Sequence, residues 1–386
     1  MRARTAPAAE VEGFFQAAPP RRTVASKEII GEFDSVIEHR PNGWAAQGSA
    51  STVVDHPWEL FHSNKDNWNA ILELCDAARR SISIEQYIFA KSGIGSRLLR
   101  LLTAKSREGV QVRVLADGFG SFGLAASADG ASLTRAGGEI VPYNSLSVLR
   151  RHPIGGLHRL HRKTVLCDET QLMIGGTCFH DRMADWRDTM VRVEGPVVQF
   201  AASAFERTWA YAGGRATRQE PAAQGPQSPA ADWRYVLSEP VRPSRQNIYR
   251  ELLTRINDAR TSVFLATPYF VPDRTFWRAM CRLLRRGVEL RLLLPARSDH
   301  SNVDIISHAF GRALARRGAK VWLYEPAMIH AKLAVVDGAW GMISSFNLDI
   351  LSFSVNVENG IVSDRPAFIA AMEEQVDRDL SHSRRV

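Results

Sequence analysis

Apolar and polar positions alternate along the chain in a way that predicts helices and strands in turn. Residues 58–80 carry apolar side chains at helical spacing, whereas the β-prone run 81–89 predicts a strand. Several later apolar stripes stop at a glycine, as helices commonly do. In this first part of the chain the further predicted helices are 96–108, one ending at 135 and 197–211, and the further predicted strands are 110–116 and 139–141.

The same order of elements recurs after a stretch rich in Gly, Arg, Gln, Pro and Ala at 213–232, which predicts a linker. The recurring helices are 247–260, 276–286 and 303–317, and the recurring strands are 262–266, 288–294 and 320–323. We therefore expect an α/β fold of two similar halves related by a pseudo-twofold axis. The predicted division is a partly ordered extension at 1–57, a first half at 58–212, a linker at 213–236 and a second half at 237–386.

One polar pattern occurs once in each half. His161, Lys163 and Asp168 are spaced H-x-K-x4-D, and the same spacing recurs in the set His330, Lys332 and Asp337. On a strand, residues two apart project from the same face, so an imidazole would lie beside an ammonium. Such a pair suits a phosphate site, since the imidazole attacks or protonates while the lysine neutralises anionic oxygens. A single copy could be chance, whereas two copies in one chain of this length argue against coincidence.

This pair of motifs resembles the phospholipase D superfamily, and the segments 84–89, 109–115, 267–272 and 347–349 resemble bacterial cardiolipin synthases without N-terminal membrane spans. The likeness covers residues 60 to 375. It implies two phospholipase D-like α/β sandwich halves with the active site at their interface. It also implies transfer of a phosphatidyl group between two phosphatidylglycerol molecules through a phosphohistidine, with glycerol released and no metal or cofactor.

The resemblance also implies roles for individual residues. His161 would be the nucleophile and His330 the acid for the leaving alcohol, although nothing in the sequence alone breaks their symmetry. Lys163 and Lys332 would clamp the phosphate. Two further acids, Asp188 and Glu358, lie 27 and 28 residues after the motif histidines, where the superfamily carries an acid that supports the imidazole. The alternative is that these two are surface acids.

The remaining candidate residues lie around the turns. Asp168 and Asp337 follow their strands next to a turn, so we expect them to accept backbone N–H bonds rather than to transfer protons. Gly176, Ser345 and Asn347 are expected to contact substrate phosphate, and Cys178 stands where Asn347 stands in the other half. Asparagine donates two hydrogen bonds and a thiol one weak one, so the two phosphate loops are not equivalent. The pair His158 and His161 resembles a metal pair, but no third ligand of suitable spacing follows.

Composition and net charge limit the classes of binding partner and the cellular location that we expect. The 386 residues include 49 Lys and Arg against 41 Asp and Glu, a net charge of +8 that favours an anionic membrane surface or nucleic acid. The four cysteines form no C-x-x-C pattern and are expected to be reduced. No run reaches the length of about 18 apolar residues that spans a membrane, and the first 23 residues lack a signal sequence. We expect a cytoplasmic protein associated peripherally with the inner face of the cell membrane.

Three functions remain open on the sequence alone. Beside phosphatidyl transfer, the same histidines would serve a hydrolytic phospholipase D or a nuclease. A nuclease would need a basic groove interleaved with stacking aromatics, which the sequence does not display, so nucleic acid is disfavoured as a partner. A catalytically silent lipid- or nucleic-acid-binding module is disfavoured by the two intact motifs, because binding alone does not need them.

Overall fold

Two mixed β-sheets, one from each half, frame the chain. The structure is a computed structural model and describes residues 56–145, 155–215, 227, 231–239 and 247–386. The predicted extension lies outside these residues except for its last two, and so does most of the predicted linker. Residues Pro57–Val386 form one compact unit, so the two halves share a single body.

The first half contains a seven-stranded sheet in the order β1-β7-β6-β5-β2-β3-β4. Strands β2, β3 and β4 are parallel, and the others pair antiparallel. The strands are β1 Trp58–Phe61, β2 Ser81–Gln86, β3 Gln111–Asp117, β4 Glu139–Tyr143, β5 Thr164–Cys167, β6 Gln171–Gly175 and β7 Met190–Glu194. The helices are α1 Asn64–Ala77, α2 Gly93–Arg107, α3 Ala128–Arg135 and α4 Val197–Tyr211.

The second half repeats this arrangement in an eight-stranded sheet of order β17-β12-β11-β9-β13-β14-β16-β8. Its strands are β8 Arg234–Ser238, β9 Ser262–Ala266, β11 Glu289–Pro295, β12 Lys320–Tyr324, β13 Leu333–Val336, β14 Trp340–Ser344, β16 Glu358–Ser363 and β17 Ser383–Arg385, and the short strands β10 Phe270–Val271 and β15 Leu348–Asp349 pair separately. Its helices are α5 Asn247–Asp258, α6 Arg274–Arg285, α7 Ser301–Ala315, α8 Ile350–Ser354 and α9 Pro366–Ser381. The series β16-β14-β13-β9-β11-β12 corresponds to β7-β6-β5-β2-β3-β4. The predicted α/β fold with two related halves is confirmed.

A shared apolar core joins the halves. It contains Leu166 and Ile174 from the first sheet and Phe264 and Val335 from the second, together with buried side chains of α4 and α9. A second apolar cluster fills the space between the first sheet and helices α1 to α3. Because burial of apolar area dominates folding free energy, one core common to both sheets holds their facing edges in a fixed relation.

Two predicted elements were wrong in extent. The helix predicted over 58–80 begins only at Asn64, where Ser63 caps it by accepting from the backbone N–H of Asp66. The residues before it form β1, whose alternating side chains cover the edge of β7. The predicted linker 213–236 runs into β8, which is buried against β16 at Tyr235 and Val236. Among the described residues, no helix is both long and apolar enough to cross a membrane.

Candidate active site

Each motif histidine is placed by backbone pairing with the opposite half. The N–H of His161 donates to the carbonyl of Val357 at 2.9 Å, and the N–H of His330 donates to the carbonyl of Arg187 at 2.7 Å. In return, the N–H of Val357 donates to the carbonyl of Arg159 at 2.8 Å, and the N–H of Arg187 donates to the carbonyl of Met328 at 2.9 Å. Two short parallel bridges, one on each side of the pseudo-twofold axis, therefore bring the two motif segments to the interface between the halves.

The residues that follow these bridges are the two expected acids. Glu358 comes directly after Val357, and both of its carboxylate oxygens lie 2.9 Å from Nδ1 of His161. Asp188 comes directly after Arg187, and its Oδ2 lies 2.7 Å from Nδ1 of His330. Spacing along the sequence associates each acid with the histidine of its own half, so that association is corrected. Each half instead supplies the carboxylate for the other half's imidazole, and neither acid lies at the surface.

Glu358 sits in a buried network of hydroxyl donors. Ser345 donates to its Oε2 at 2.5 Å, and Ser352 donates to its Oε1 at 2.7 Å. The contact of Ser345 with substrate phosphate stays a prediction; in the structure its hydroxyl lies within hydrogen-bond distance of Glu358 and, at 3.2 Å, of the carbonyl oxygen of Asn359. Sequence reasoning missed Ser352, although its place on a short helix directly after Asn347 and Asp349 was a signal that it faces the same centre.

The two lysines differ in what they contact. Lys163 donates to the carbonyl oxygen of His161 at 2.6 Å. Lys332 makes the equivalent bond to the carbonyl of His330 at 2.5 Å, but its ammonium also lies 3.0 Å from Nε2 of His330. No described residue hydrogen-bonds to Nε2 of His161. The pseudo-twofold symmetry is thus broken at the two nitrogen atoms that would meet a substrate.

Burial sets the protonation of these groups. Burial lowers the pKa of His161, against the opposing effect of Glu358, and burial together with the charge of Lys332 lowers that of His330 to about 4. Both imidazoles are therefore neutral near pH 7. Burial lowers the pKa of Lys332 to about 7. Although burial raises the pKa of a carboxyl, the adjacent histidines hold the pKa values of Asp188 and Glu358 below their usual range, so both acids are ionised.

Asp168 and Asp337 hold loops, as predicted. The Asp168 carboxylate accepts from the backbone N–H groups of residues 79, 80 and 81, and Asp337 accepts from those of residues 260, 261 and 262. Both adopt a left-handed backbone, with φ of 55° and 54°. Each lies at the far end of a four-residue strand from its motif lysine, about 15 Å away at 3.3 Å per residue. Neither can take part in the chemistry directly.

The three residues of the predicted phosphate loops have distinct surroundings. Gly176 packs on Asp188, and a Cβ at that position would lie 2.2 Å from a carboxylate oxygen, so only glycine admits the acid. The amide oxygen of Asn347 is buried and accepts no hydrogen bond from any residue that the structure describes. The thiol of Cys178 is buried, and burial raises its pKa while Lys163 and Lys332 oppose the rise.

Sequence reasoning also missed a buried arginine inside the first motif. Arg162 lies between His161 and Lys163, is fully buried, and donates to Glu85 at 3.1 Å and to Glu239 at 2.8 Å. The motif leaves this position unspecified, and Ala331 occupies it in the second half. Because Glu85 belongs to the first sheet and Glu239 follows β8 of the second, the arginine ties the His161 segment to both halves.

Aromatic rings flank both histidines. The ring of Tyr87 lies 5.0 Å from that of His161, and Trp186 lies 5.2 Å from His330. His158 is bound instead to the carbonyl of Val355 at 2.8 Å, which removes it from any pairing with His161. In the described ranges, no group of three or more His, Cys, Asp or Glu residues has an arrangement that could hold a metal ion.

The sequence model of the cardiolipin synthase PLD-like domain matches residues 71–209 and 252–380, one match in each half. The chain belongs to this family. The expected phospholipase D resemblance is thereby confirmed, and with it the enzyme class, a phosphatidyltransferase with a phospholipid substrate. The matches enclose both H-x-K-x4-D sets, both carboxylates and the interface between the halves.

Relatives agree with this membership, and a solved structure agrees with the fold. Cardiolipin synthase A of Pseudomonas entomophila is 30% identical over 353 residues, which cover 88% of this chain and 71% of the relative. The cardiolipin synthase of Clostridium perfringens strain 13 is 28% identical over 343 residues, with coverages of 83% and 70%. In fold, the chain resembles the phosphatidylserine synthase of Haemophilus influenzae Rd KW20, with a TM-score of 0.67 at 15% identity over 85% of this chain and 87% of that one.

Proposed function

We propose that this family member makes cardiolipin from two phosphatidylglycerol molecules, with His161 as the nucleophile and His330 as the proton donor and acceptor. The observation that carries this assignment is the asymmetry of the two Nε2 atoms. His161 has a neutral imidazole held at Nδ1 by Glu358, and its Nε2 is open to attack phosphorus. His330 Nε2 already lies 3.0 Å from the ammonium of Lys332, a source of the proton that a leaving alcohol requires.

The first step forms a bond between Nε2 of His161 and phosphorus and breaks the bond from phosphorus to the glycerol headgroup. Lys332 gives its proton to Nε2 of His330, and His330 passes it from that nitrogen to the departing glycerol oxygen. As positive charge develops on the His161 ring, Glu358 stabilises it through Nδ1. Lys163 neutralises the phosphate oxygens as the transition state forms, and Lys332 does so until its proton moves to His330.

The second step reverses these roles. A free glycerol hydroxyl of a second phosphatidylglycerol gives its proton to His330 and attacks phosphorus, and the bond to His161 breaks. The product carries two phosphatidyl groups on one glycerol, which is cardiolipin. Water in place of the second lipid would give phosphatidic acid. The identity of the product therefore distinguishes hydrolysis from transfer.

The proposal also includes an anionic membrane surface as a binding partner. A net charge of +8 favours an anionic surface, so we place the enzyme at the inner face of the cell membrane. We expect tighter binding to phosphatidylglycerol vesicles than to phosphatidylcholine vesicles at low salt, with the difference shrinking as salt rises. Equal binding to both at low salt would assign the basic surface to another partner.

The decisive experiment incubates the purified protein with phosphatidylglycerol vesicles and resolves the products by mass spectrometry. Cardiolipin and glycerol in equal amounts support the proposal, and phosphatidic acid without cardiolipin would replace it with hydrolysis. His161→Ala should abolish product, whereas the matched control His158→Ala, three residues earlier and bound to a carbonyl, should retain most activity. A histidine-linked phosphatidyl group found on His330 instead would exchange the two roles.

A further inference from the structure

Several large apolar side chains are exposed around the catalytic site. Phe119, Phe122 and Ile305 are each about two-thirds exposed, at 66%, 65% and 68%. Such exposure is uncommon for phenylalanine and isoleucine, and a cluster of it marks an interaction surface. We name the following six residues the apolar rim: Phe119, Phe122, Leu157, Ile305, Ile350 and Leu351.

In the first half, the rim is bonded to the His161 segment. The Asp117 carboxylate accepts from the N–H of Phe119 at 2.9 Å and also from the N–H of Leu160, the residue before His161, at 2.9 Å. Ser121, which lies between the two rim phenylalanines in the sequence, donates to the carbonyl of Tyr87, whose ring packs on His161. Leu157 is four residues before His161 in the same segment.

In the second half, the rim lies at related places. The hydroxyl of Ser307 accepts from the N–H of Phe270, as Ser121 accepts from Phe89, so Phe119 and Ile305 each lie two residues before equivalent serines. Ile350 and Leu351 open helix α8, and the next residue, Ser352, donates to Glu358. Both halves thus present exposed apolar groups on segments that contact the catalytic residues.

Topology puts these segments at one edge. The turn with Phe119 follows the carboxyl end of β3, and α7 with Ile305 follows that of β11, while the motif histidines precede the strands β5 and β13 that run antiparallel to β2 and β9. All these points lie at the carboxyl ends of the parallel strands, where open α/β sheets bind ligands. The apolar rim therefore lies at the same end of the two sheets as the motif histidines.

We infer that the apolar rim inserts into the lipid bilayer and holds the catalytic site against the headgroup layer. The inference rests on the proposed function, because a diacyl substrate keeps its tails in the membrane while its phosphate must reach His161. A second protein copy on the rim would cover the route that the substrate takes. Charge agrees with a bilayer, since exposed Lys91 places its amine beside the turn at Gly123, next to Phe122, where an anionic headgroup would lie.

The test compares a double variant that carries both Phe119→Ser and Phe122→Ser with a matched control, Val386→Ser. Val386 is an apolar side chain, 41% exposed, whose backbone N–H donates to the carbonyl of Val321 near the amino end of β12, away from the rim. Binding to phosphatidylcholine vesicles at high salt isolates the apolar contribution, because charge is screened. Each phenylalanine that moves from water into the bilayer contributes hydrophobic free energy to vesicle binding. The double variant should therefore bind roughly 10- to 100-fold more weakly. The control should bind like wild type. Ile305→Ser with Ile350→Ser repeats the test from the second half.

Activity separates this inference from the proposed function. The rim variants should lose turnover on vesicles in proportion to binding but keep wild-type turnover on short-chain phosphatidylglycerol below its critical micelle concentration. If wild type makes no cardiolipin from either lipid, the proposed function fails while the binding comparison still decides the rim. Vesicle binding unchanged in both rim variants would overturn the inference. A change from dimer to monomer with binding retained would reassign the rim to an interface between copies.

Discussion

Exchange of the carboxylate at Glu358 should slow formation of the phosphohistidine by about three orders of magnitude. Glu358→Gln keeps the shape of the side chain but removes the charge opposite Nδ1 of His161, 2.9 Å away. At about 4 Å between charge centres and an effective dielectric near 20, the lost attraction for the developing imidazolium is on the order of 4 kcal/mol. That corresponds to roughly a 10³-fold slower first step.

Because each carboxylate pairs with the histidine of the other half, exchange of Asp188 should have a different effect from exchange of Glu358. Asp188→Asn removes the charge opposite His330, so it should impair protonation of the leaving group and leave the nucleophile intact. A phosphatidyl ester of p-nitrophenol does not need that proton, because the phenolate leaves unaided. In stopped-flow measurements, Asp188→Asn should therefore release its first equivalent of p-nitrophenol near the wild-type rate, whereas Glu358→Gln should be slow on this ester and on phosphatidylglycerol alike.

The reverse pattern would refute the assignment. A normal burst in Glu358→Gln with a lost burst in Asp188→Asn would mean that His330 is the nucleophile. Equal loss in both variants on the activated ester would mean that the acids act through the fold rather than through separate histidines. Melting temperatures of both variants serve as the control for folding, and Asp168→Asn supplies an aspartate exchange about 15 Å from the reacting atoms by strand geometry.

The remaining predictions concern stability, pH and the broken symmetry of the two loops. Burial raises the pKa of Asp168, but the backbone N–H groups of residues 79 to 81 hold it below its usual range. Asp168→Asn should therefore lower the melting temperature at pH 7 with activity per folded molecule unchanged. Its difference from wild type should begin to shrink as pH falls below about 4 and should vanish once pH is below the lowered pKa of Asp168. Because burial lowers the pKa of Lys332 to about 7, kcat/KM on phosphatidylglycerol should fall as pH rises through about 7, and a flat profile to pH 9 would exclude this group as the proton source. Cys178→Asn is expected to keep or exceed wild-type turnover, since an amide is a stronger hydrogen-bond donor than a thiol and Asn347 stands at the equivalent position of the other half; a drop in both melting temperature and turnover would assign Cys178 to core packing. Asn347→Cys, the reciprocal exchange, should cost turnover substantially.

Local chemistry was predictable where short-range pattern determines structure. Asp168 could be assigned to loop support because a carboxylate next to a turn has backbone N–H groups within reach, whatever the rest of the fold does. The strands of both motifs followed from β-prone apolar runs. The error at 58–80 has a local cause as well, since Trp58 and Leu60 fit a helical stripe and an alternating edge strand equally well. Such a short run contains too few residues for the hydrophobic period to distinguish a helix from a strand.

The pairing of acid and histidine could not be predicted in this way. Asp188 lies closer in sequence to His161, yet it contacts His330, 142 residues away, and the contact depends on two backbone bridges between the halves. The same limit hid Arg162, whose partners Glu85 and Glu239 are each 77 residues distant. The motif leaves the residue between its histidine and its lysine unspecified, so the sequence gives no reason to assign Arg162 a role. Only the packing of the two halves places its guanidinium between two buried carboxylates.

A repeated half produces two equivalent imidazole–carboxylate pairs, whereas phosphatidyl transfer requires one nucleophile and one proton carrier. The difference must come from positions where the repeat has diverged. Arg162 against Ala331 fixes one motif segment to both sheets, and the ammonium of Lys332 meets Nε2 of His330 while Nε2 of His161 stays open. Crossing of the acids then couples the two roles, because each half holds the imidazole of the other. Neither half alone contains a complete imidazole–carboxylate pair, so the proposed chemistry depends on the interface between the halves, which the shared core holds together.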